Sequence, residues 1–398
     1  MFELLIESLN VSYAGCHILF EGPRAARSGE LQKIIDLVNE IFMTQRGLPP
    51  IMGDAFPLLF NRNNLENLRI IVKDGQLISH VGIWEGDLLI FGSWFKVGMI
   101  GSVCTREDFR GRGYASALIM DAIQKMTNDG IDLVLISGDR NLYKRLGFFK
   151  SGLIYNYNIP YGKLEVDQNK LNFICYDESL LKDVVAIYQK EPVRYRRSLE
   201  EFNLLLKIFT KPLKYTSIKN RIYLAVVNDR PLAYIATSLF IETNFLKIWE
   251  YAGSRNAIIH LIEYLFKTMH INNLEVTVPF HDAEMLGLLE KYGINRPPLN
   301  SEASMLILNS KRFFENAKYY LIERLGAELA SRIEVRDVDG KIMLFLGDED
   351  FTLEKSEFTL LFFDSPEKER PREKIEPIRK FLGEALPMPT PIYGLNYI

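Results

Sequence analysis

One stretch constrains the fold of this chain more than any other: Ser102-Val103-Cys104-Thr105-Arg106-Glu107-Asp108-Phe109-Arg110-Gly111-Arg112-Gly113-Tyr114-Ala115. It begins in a strand candidate, Met99–Thr105, and ends in a segment whose Ala115, Leu118, Ile119, Ala122, Ile123 and Met126 keep to one helical face. Two glycines, two residues apart, stand at the junction, and Gly130 stops the helix from a C′ position. Ile131–Ser137, reading IDLVLIS, is then a buried strand. Strand, glycine turn, helix and strand in this order predict an α/β or α+β fold, with a mixed or antiparallel sheet covered by helices.

The same grammar runs along the rest of the chain, and 398 residues exceed what one core usually holds. Three blocks are expected: 1–160, 161–300 and 301–398. The first opens with a strand candidate at His17–Glu21 and a helical stretch bearing Leu31, Ile34, Ile35, Leu37, Val38 and Ile41. Strands are expected at Arg69–Lys73, Gln76–Glu85 and Asp87–Val97, with Asp74-Gly75 and Glu85-Gly86 as hairpin turns. After the seam Ile159-Pro160-Tyr161-Gly162, the second block repeats this less clearly: a helix at Glu178–Gln189, strands at Ile222–Val227, Leu232–Ser238 and Leu246–Tyr251, a helix at Arg255–Met269 and a strand at Leu274–Val278. Past Arg296-Pro297-Pro298, the third block reads as a strand (Ala303–Leu308), a helix (Arg312–Leu325), strands at Arg332–Val335 and Lys341–Leu346 about an Asp339-Gly340 turn, and an apolar Glu357–Phe363 of either kind. The charged run Glu367–Lys374 is expected to be solvated surface.

Composition excludes more than it selects. The 48 basic and 51 acidic residues leave a net charge of -3, which gives no electrostatic reason to expect nucleic acid or an anionic membrane as partner. No apolar run reaches membrane-spanning length, and MFELLIESLN lacks the basic n-region of a signal peptide. Cys16, Cys104 and Cys175 are odd in number and far apart, so neither a disulfide framework nor a structural metal is expected, and a cytoplasmic setting fits. His17, His80, His260, His270 and His281 include no HExxH pair. His80 reads as a hydrogen-bonded core residue, and His281-Asp282 as a helix-capping region. Trp84, Trp94 and Phe95 are candidates either for a cleft wall or for the core.

The glycine junction has the physical parts of a diphosphate cradle. Glycines let the backbone approach a ligand, the free N–H groups of a helix start bind anionic oxygens, and Arg110 and Arg112 add charged donors. Spacing alone leaves an ordinary strand-to-helix turn equally open. Arg110-Gly111-Arg112-Gly113-Tyr114-Ala115, followed by Asn141-Leu142-Tyr143-Lys144-Arg145-Leu146-Gly147-Phe148, resembles the R/Q-x-x-G-x-G/A signature and the later Tyr-x-x-x-Gly-Phe element of the GNAT acetyltransferase superfamily. The resemblance implies that Arg110 to Ala115 hold the pyrophosphate of acetyl-CoA, the acetyl donor. It implies that the strand end Val103, Cys104, Thr105 pairs with the pantetheine through the backbone of Val103 and Thr105, and that Tyr143 donates a proton to the leaving thiolate. Glu107 stands where many relatives have proline.

The three-block order is similar to the enhanced-intracellular-survival group of that superfamily, relatives of an aminoglycoside-modifying enzyme. That likeness implies a degenerate GNAT-like middle block and a sterol-carrier-like last one. The middle block offers one glycine, in Glu250-Tyr251-Ala252-Gly253-Ser254-Arg255-Asn256, and is read as a wall of the substrate cleft. The chain ends Pro391-Ile392-Tyr393-Gly394-Leu395-Asn396-Tyr397-Ile398, unusually apolar for a tail, so it is expected to dock. By resemblance the Ile398 carboxylate is the proton acceptor, although a free α-carboxyl titrates at about 3.3–3.7, so burial has to raise it or it orients a water. The expected activity is transfer of acetyl from acetyl-CoA to a primary amine of a small molecule or peptide, without a metal. A transferase of another acyl or aminoacyl group, a non-catalytic acyl-CoA sensor and a lipid carrier with a vestigial head stay open. So does the oligomeric state, homo-oligomers being common in the resembled group.

Overall fold

The computed structural model describes residues 12–13, 16–17, 19–164, 166, 171–212, 217–365 and 374–398. The N-terminal MFELLIESLN and, but for Lys374, the charged run Glu367–Lys374 lie outside the described residues.

After a short pairing of Ser12–Tyr13 with Cys16–His17, the first unit runs β1 (Phe20–Ala25), α1 (Leu31–Phe42), α2 (Met52–Ala55), β2 (Leu68–Lys73), β3 (Gln76–Ile90), β4 (Ser93–Thr105), α3 (Tyr114–Asn128), β5 (Leu133–Ile136), α4 (Asn141–Arg145) and β6 (Phe149–Pro160). Glu85-Gly86, expected as a turn, lies inside β3, which continues to Ile90. The loop is Phe91-Gly92, both with positive φ (43° and 90°), as a two-residue hairpin turn requires. Nothing in a phenylalanine signals that turn. Gly86 serves packing instead: a Cβ there would lie 2.3 Å from the Trp84 ring, which folds across it. Asp74-Gly75 is a turn as expected, with φ of 49° and 77°.

The second unit comprises β7 (Asn172–Cys175), α5 (Leu181–Tyr188), β8 (Val193–Tyr195), α6 (Leu199–Thr210), β9 (Ile218–Val227), β10 (Arg230–Phe240), β11 (Phe245–Gly253), α7 (Arg255–Met269), β12 (Asn273–Pro279) and α8 (Ala283–Lys291). The remainder is β13 (Leu299–Ile307), α9 (Ser310–Leu325), α10 (Ala327–Ser331), β14 (Ile333–Val338), β15 (Lys341–Leu346), β16 (Glu349–Leu353), α11 (Lys355–Phe363) and α12 (Glu376–Leu382). β14, β15 and β16 form a separate three-stranded sheet.

All the other strands from β1 onwards join one 13-stranded sheet in the order β1-β2-β3-β4-β5-β13-β6-β12-β11-β10-β9-β7, with β8 on β3. Among the described residues, only β4 with β5 and β11 with β12 pair in parallel in this sheet. The two units are joined by an exchange. β6, made at the end of the first unit, pairs with β12 of the second. β13, made after the second unit, pairs with β5 of the first, and β6 and β13 pair with each other. The strand expected to open the third block therefore belongs to the large sheet.

In the first unit α3 covers one face through Leu118, Ile119, Ala122 and Met126. The other face packs on α1 and on the last part of the chain, in a core where Phe313 meets Phe95, Phe358, Phe362 and Phe363. Among the described residues, no helix is long and apolar enough to cross a membrane.

Candidate active site

β4 and β5 pair from Val97/Leu133 to Ile100/Ile136 and then part. At the same level β4 is bulged: between the pairs His80/Cys104 and Gly82/Gly101, Val81 of β3 faces both Ser102 and Val103. Ser102 takes a left-handed φ of 52°. A bulge beside a departing strand takes backbone groups out of the ladder and turns them to the gap. Arg140 enters from beyond β5, its Nη1 3.5 Å from the Val103 carbonyl.

A cavity of ≈ 260 Å³ occupies this gap. Gly101, Ser102 and Val103 line it, and so do Tyr143 and Ile398, two residues separated by most of the chain. Tyr143, in α4, is buried and shares a core with Phe148, so packing and cavity lining coexist in one side chain. Burial raises its hydroxyl above the usual value of 10.0; Arg140 opposes this and Tyr397 adds to it. The main-chain carbon and oxygen of Ile398 lie against Gly101, where an added Cβ would come within 2.8 Å of both. Of the last two residues Tyr397 is exposed and Ile398 buried, so the chain turns inward at its end.

The glycine loop lies beyond the end of β4. Arg110, Gly111, Arg112 and Gly113 are exposed. Gly111 and Gly113 have φ of 76° and 83°, and a Cβ built on either meets nothing within 4 Å. These glycines thus provide a backbone conformation and open room. α3 starts without a side-chain cap and without an acidic residue in its first turn, which leaves its N–H groups available to an anion. Arg110 Nε donates to the Thr105 carbonyl at 3.2 Å, and the Arg112 guanidinium lies 5.6 Å from the Phe109 ring centre. Tyr114 and Ala115 begin the helix half-buried. Cys104 faces the opposite core, and burial pushes its thiol up to about 12, leaving only its backbone to serve the site.

Residues 23–150 match the family model of the acetyltransferase (GNAT) domain. No curated protein matches the chain. Among solved structures, a GCN5-related N-acetyltransferase from Anabaena variabilis is similar over 94% of this chain and 97% of its own, at 15% identity and a TM-score of 0.66. A conserved protein of unknown function from Enterococcus faecalis is similar over 76% and 75%, at 15% identity and a TM-score of 0.59. Eis1 from Mycobacterium abscessus is similar over 84% of each chain, at 14% identity and a TM-score of 0.56. These likenesses show the fold. The GNAT match covers the bulge, the glycine loop and Tyr143, and ends before the second unit.

The second unit repeats the geometry and fills it. β11 and β12 part after Ile248/Val276, and β11 is bulged at Trp249, between the pairs Ala236/Glu250 and Thr237/Ile248. Where the first unit has its glycine loop, the Gly253 N–H and the Arg255 guanidinium are bonded to Glu191, and Arg255 also reaches Asp282. The tail lies along this splay. The Leu395 N–H donates to Glu250 at 3.0 Å, and Arg197 Nε donates to Asn396 at 2.8 Å. Arg197 and Glu250 are themselves a buried bidentate pair. Burial alone would raise the Glu250 carboxyl, but Arg197 outweighs it and holds the group below its ordinary range. Gly394, at φ 54°, permits the approach, since a Cβ there would be 2.3 Å from a Glu250 oxygen.

His80 is in the core, as expected, but its hydrogen bonding is poor: the Arg69 backbone interacts with the ring, and neither nitrogen reaches a partner in good geometry. Burial lowers its pKa to about 3, the Arg69 backbone offsetting only part of this. Asp282 caps α8 through the Met285 N–H. Trp84 and Phe95 are core, and Trp94 is 44% exposed beneath Arg194 and Arg196. Trp249, Phe56, Gly101 and Arg140 line the cavities without having been singled out by sequence. Gly101-Ser102, a glycine and a small polar residue inside a strand, was the available signal for a bulge. Among the described residues, no group of three or more His, Cys, Asp or Glu side chains is placed to hold a metal.

Proposed function

We propose that the chain is an N-acetyltransferase that moves the acetyl group of acetyl-CoA directly to a primary amine within a ternary complex. The observation that carries this is the convergence of Tyr143, the Ile398 carboxyl and the Gly101–Val103 bulge on one cavity beside an open glycine loop. In this reading Gly111, Gly113 and the start of α3 hold the diphosphate. The amine nitrogen attacks the thioester carbon, and the charge that develops on the carbonyl oxygen is met by backbone N–H groups at the bulge. The carbon–sulfur bond then breaks. Tyr143, its pKa raised by burial, stays protonated through the neutral range. A thiol titrates near about 8.5, so the leaving thiolate is a weaker base than a tyrosinate. Tyr143 therefore contributes a hydrogen bond to the sulfur more than a completed proton transfer. The proton shed by the nitrogen passes to the Ile398 carboxylate, directly or through a water. The second unit acts as the wall that holds the tail in place.

Calorimetric titration with acetyl-CoA, followed by thiol release against a panel of amines, tests the reading. Acetyl-CoA is expected to bind, with thiol release dependent on amine. Tyr143→Phe should lower kcat by about a hundredfold while leaving acetyl-CoA affinity unchanged. Binding without release for any amine would leave an acyl-CoA-binding module, and absence of binding would remove the proposal altogether.

A further inference from the structure

The cavity holding Tyr143 and Ile398 adjoins a larger one, of ≈ 550 Å³, between the loop around α2 and the α6, β9 and β10 side of the second unit. Phe56 and Tyr397 line both, their ring centres 6.2 Å apart. Anything seated in the larger cavity therefore has these two rings between it and the thioester site.

The walls are apolar: Leu205, Ile208, Phe209, Phe240 and the bulge residue Trp249. Trp249 is held firmly. Its indole N–H donates to Ser238 Oγ at 2.8 Å, Ser238 donates to Asn220 at 2.6 Å, and the Lys247 ammonium sits 4.4 Å from the ring centre. A fixed aromatic face whose polar atom is already satisfied suits an apolar ring. Of the described lining residues only Asp54 and Lys211 are charged, and they pair with each other at 3.4 Å. Their side chains are 72% and 53% exposed, which puts them at a solvent-facing mouth. The described lining thus offers no uncompensated carboxylate. A polycation entering it would shed water from several charges with no partner to receive them.

We propose that this cavity binds the body of the acyl acceptor, and that the acceptor is a primary monoamine on an aromatic or branched apolar group, an arylalkylamine in class. This rests on the transferase reading above. The acceptor, rather than the acyl chain of the donor, is the occupant for two reasons. The mouth faces solvent, and the walls come from the α2 loop, the second unit and the tail, with no residue from the Arg110–Gly113 loop. The amine has to approach the thioester from a side that the donor does not fill, and this cavity meets that site at Phe56 and Tyr397.

The test compares 2-phenylethylamine with spermidine, as apolar and polycationic probes, at saturating acetyl-CoA. Phenylethylamine is expected to change tryptophan fluorescence saturably, and Trp249→Phe should remove that change. In thiol release its kcat/KM should exceed that of spermidine by at least about tenfold. Ala55→Trp, which fills the cavity, should raise KM for phenylethylamine by about tenfold and leave acetyl-CoA affinity intact, the latter also reporting that the variant is folded. Phe240→Ala, which enlarges the cavity, should shift preference from phenylethylamine towards a bulkier naphthyl amine. A preference for spermidine, or an unchanged KM in Ala55→Trp, overturns the proposed acceptor class while leaving the transferase standing. Saturable phenylethylamine binding without thiol release overturns the transferase and keeps the cavity as an apolar-amine site.

Discussion

The two splays differ less in shape than in what has been left free. In both, parallel strands part and the central strand is bulged. In the first, the following loop has two glycines in left-handed conformation, open space about them, and a helix start with no carboxylate of its own. In the second, the corresponding N–H and arginine are bonded to Glu191, and the strand gap is taken by the tail. An open gap and a filled one can thus share a backbone. Unused hydrogen-bonding capacity separates them: where internal groups have satisfied the donors, no ligand can be rewarded for arriving.

The largest effect should come from breaking the filled splay. Glu250→Ala leaves Arg197 charged, buried and unpaired, and should cost about 3–5 kcal/mol in denaturant unfolding. Replacing both partners by apolar residues should recover much of that loss.

Acid should separate the two units next. His80, opposite Cys104 in the first bulge, has its pKa depressed from 6.5 to about 3. Its contribution to stability is complete above 6.5 and is lost as pH falls, by about 2 kcal/mol at pH 5. Glu250, which stands in the second bulge where Cys104 stands in the first, is held below its ordinary 4.5, so its contribution is complete above 4.5 and is lost below it as the pH falls through the lower folded value. His80→Leu should flatten the urea midpoint between pH 6.5 and 5 and leave the decline below 4.5.

The loops give a smaller, paired contrast. Gly113→Asp puts a carboxylate and a strained φ where the diphosphate is proposed to bind, and should weaken acetyl-CoA binding by more than about tenfold in calorimetry. Ser254→Asp, at the N-cap of α7, should leave that affinity unchanged and alter stability by less than about 0.5 kcal/mol. Equal losses from the two substitutions would erase the distinction between the splays.

Local chemistry was legible in the sequence because local residues decide it. The apolar periodicity of α3 and the Gly111/Gly113 spacing reappear as expected, as do Gly130 and Asp74-Gly75. The misplaced hairpin shows the limit: Gly86 looked like a turn but makes room for Trp84, while the real turn uses Phe91, which tertiary contacts with Tyr320 and Arg324 hold in place. The exchange of β6 and β13 left no trace, since strand order depends on distant partners that neither segment encodes alone. The larger cavity was equally silent. Its walls come from segments about 150 residues apart or more, among which Trp249 is an ordinary strand aromatic until the fold brings Phe56 and Tyr397 near it.

That exchange of strands also sets a timetable. While the chain emerges from the ribosome, β5 must wait for β13 with one edge unpaired until the entire second unit has been made. An apolar strand edge held open that long invites pairing with a neighbouring nascent chain. Production of the protein should therefore depend on helper chaperones more than its size suggests, and a fragment cut at the seam after Pro160 should precipitate where the whole chain stays in solution.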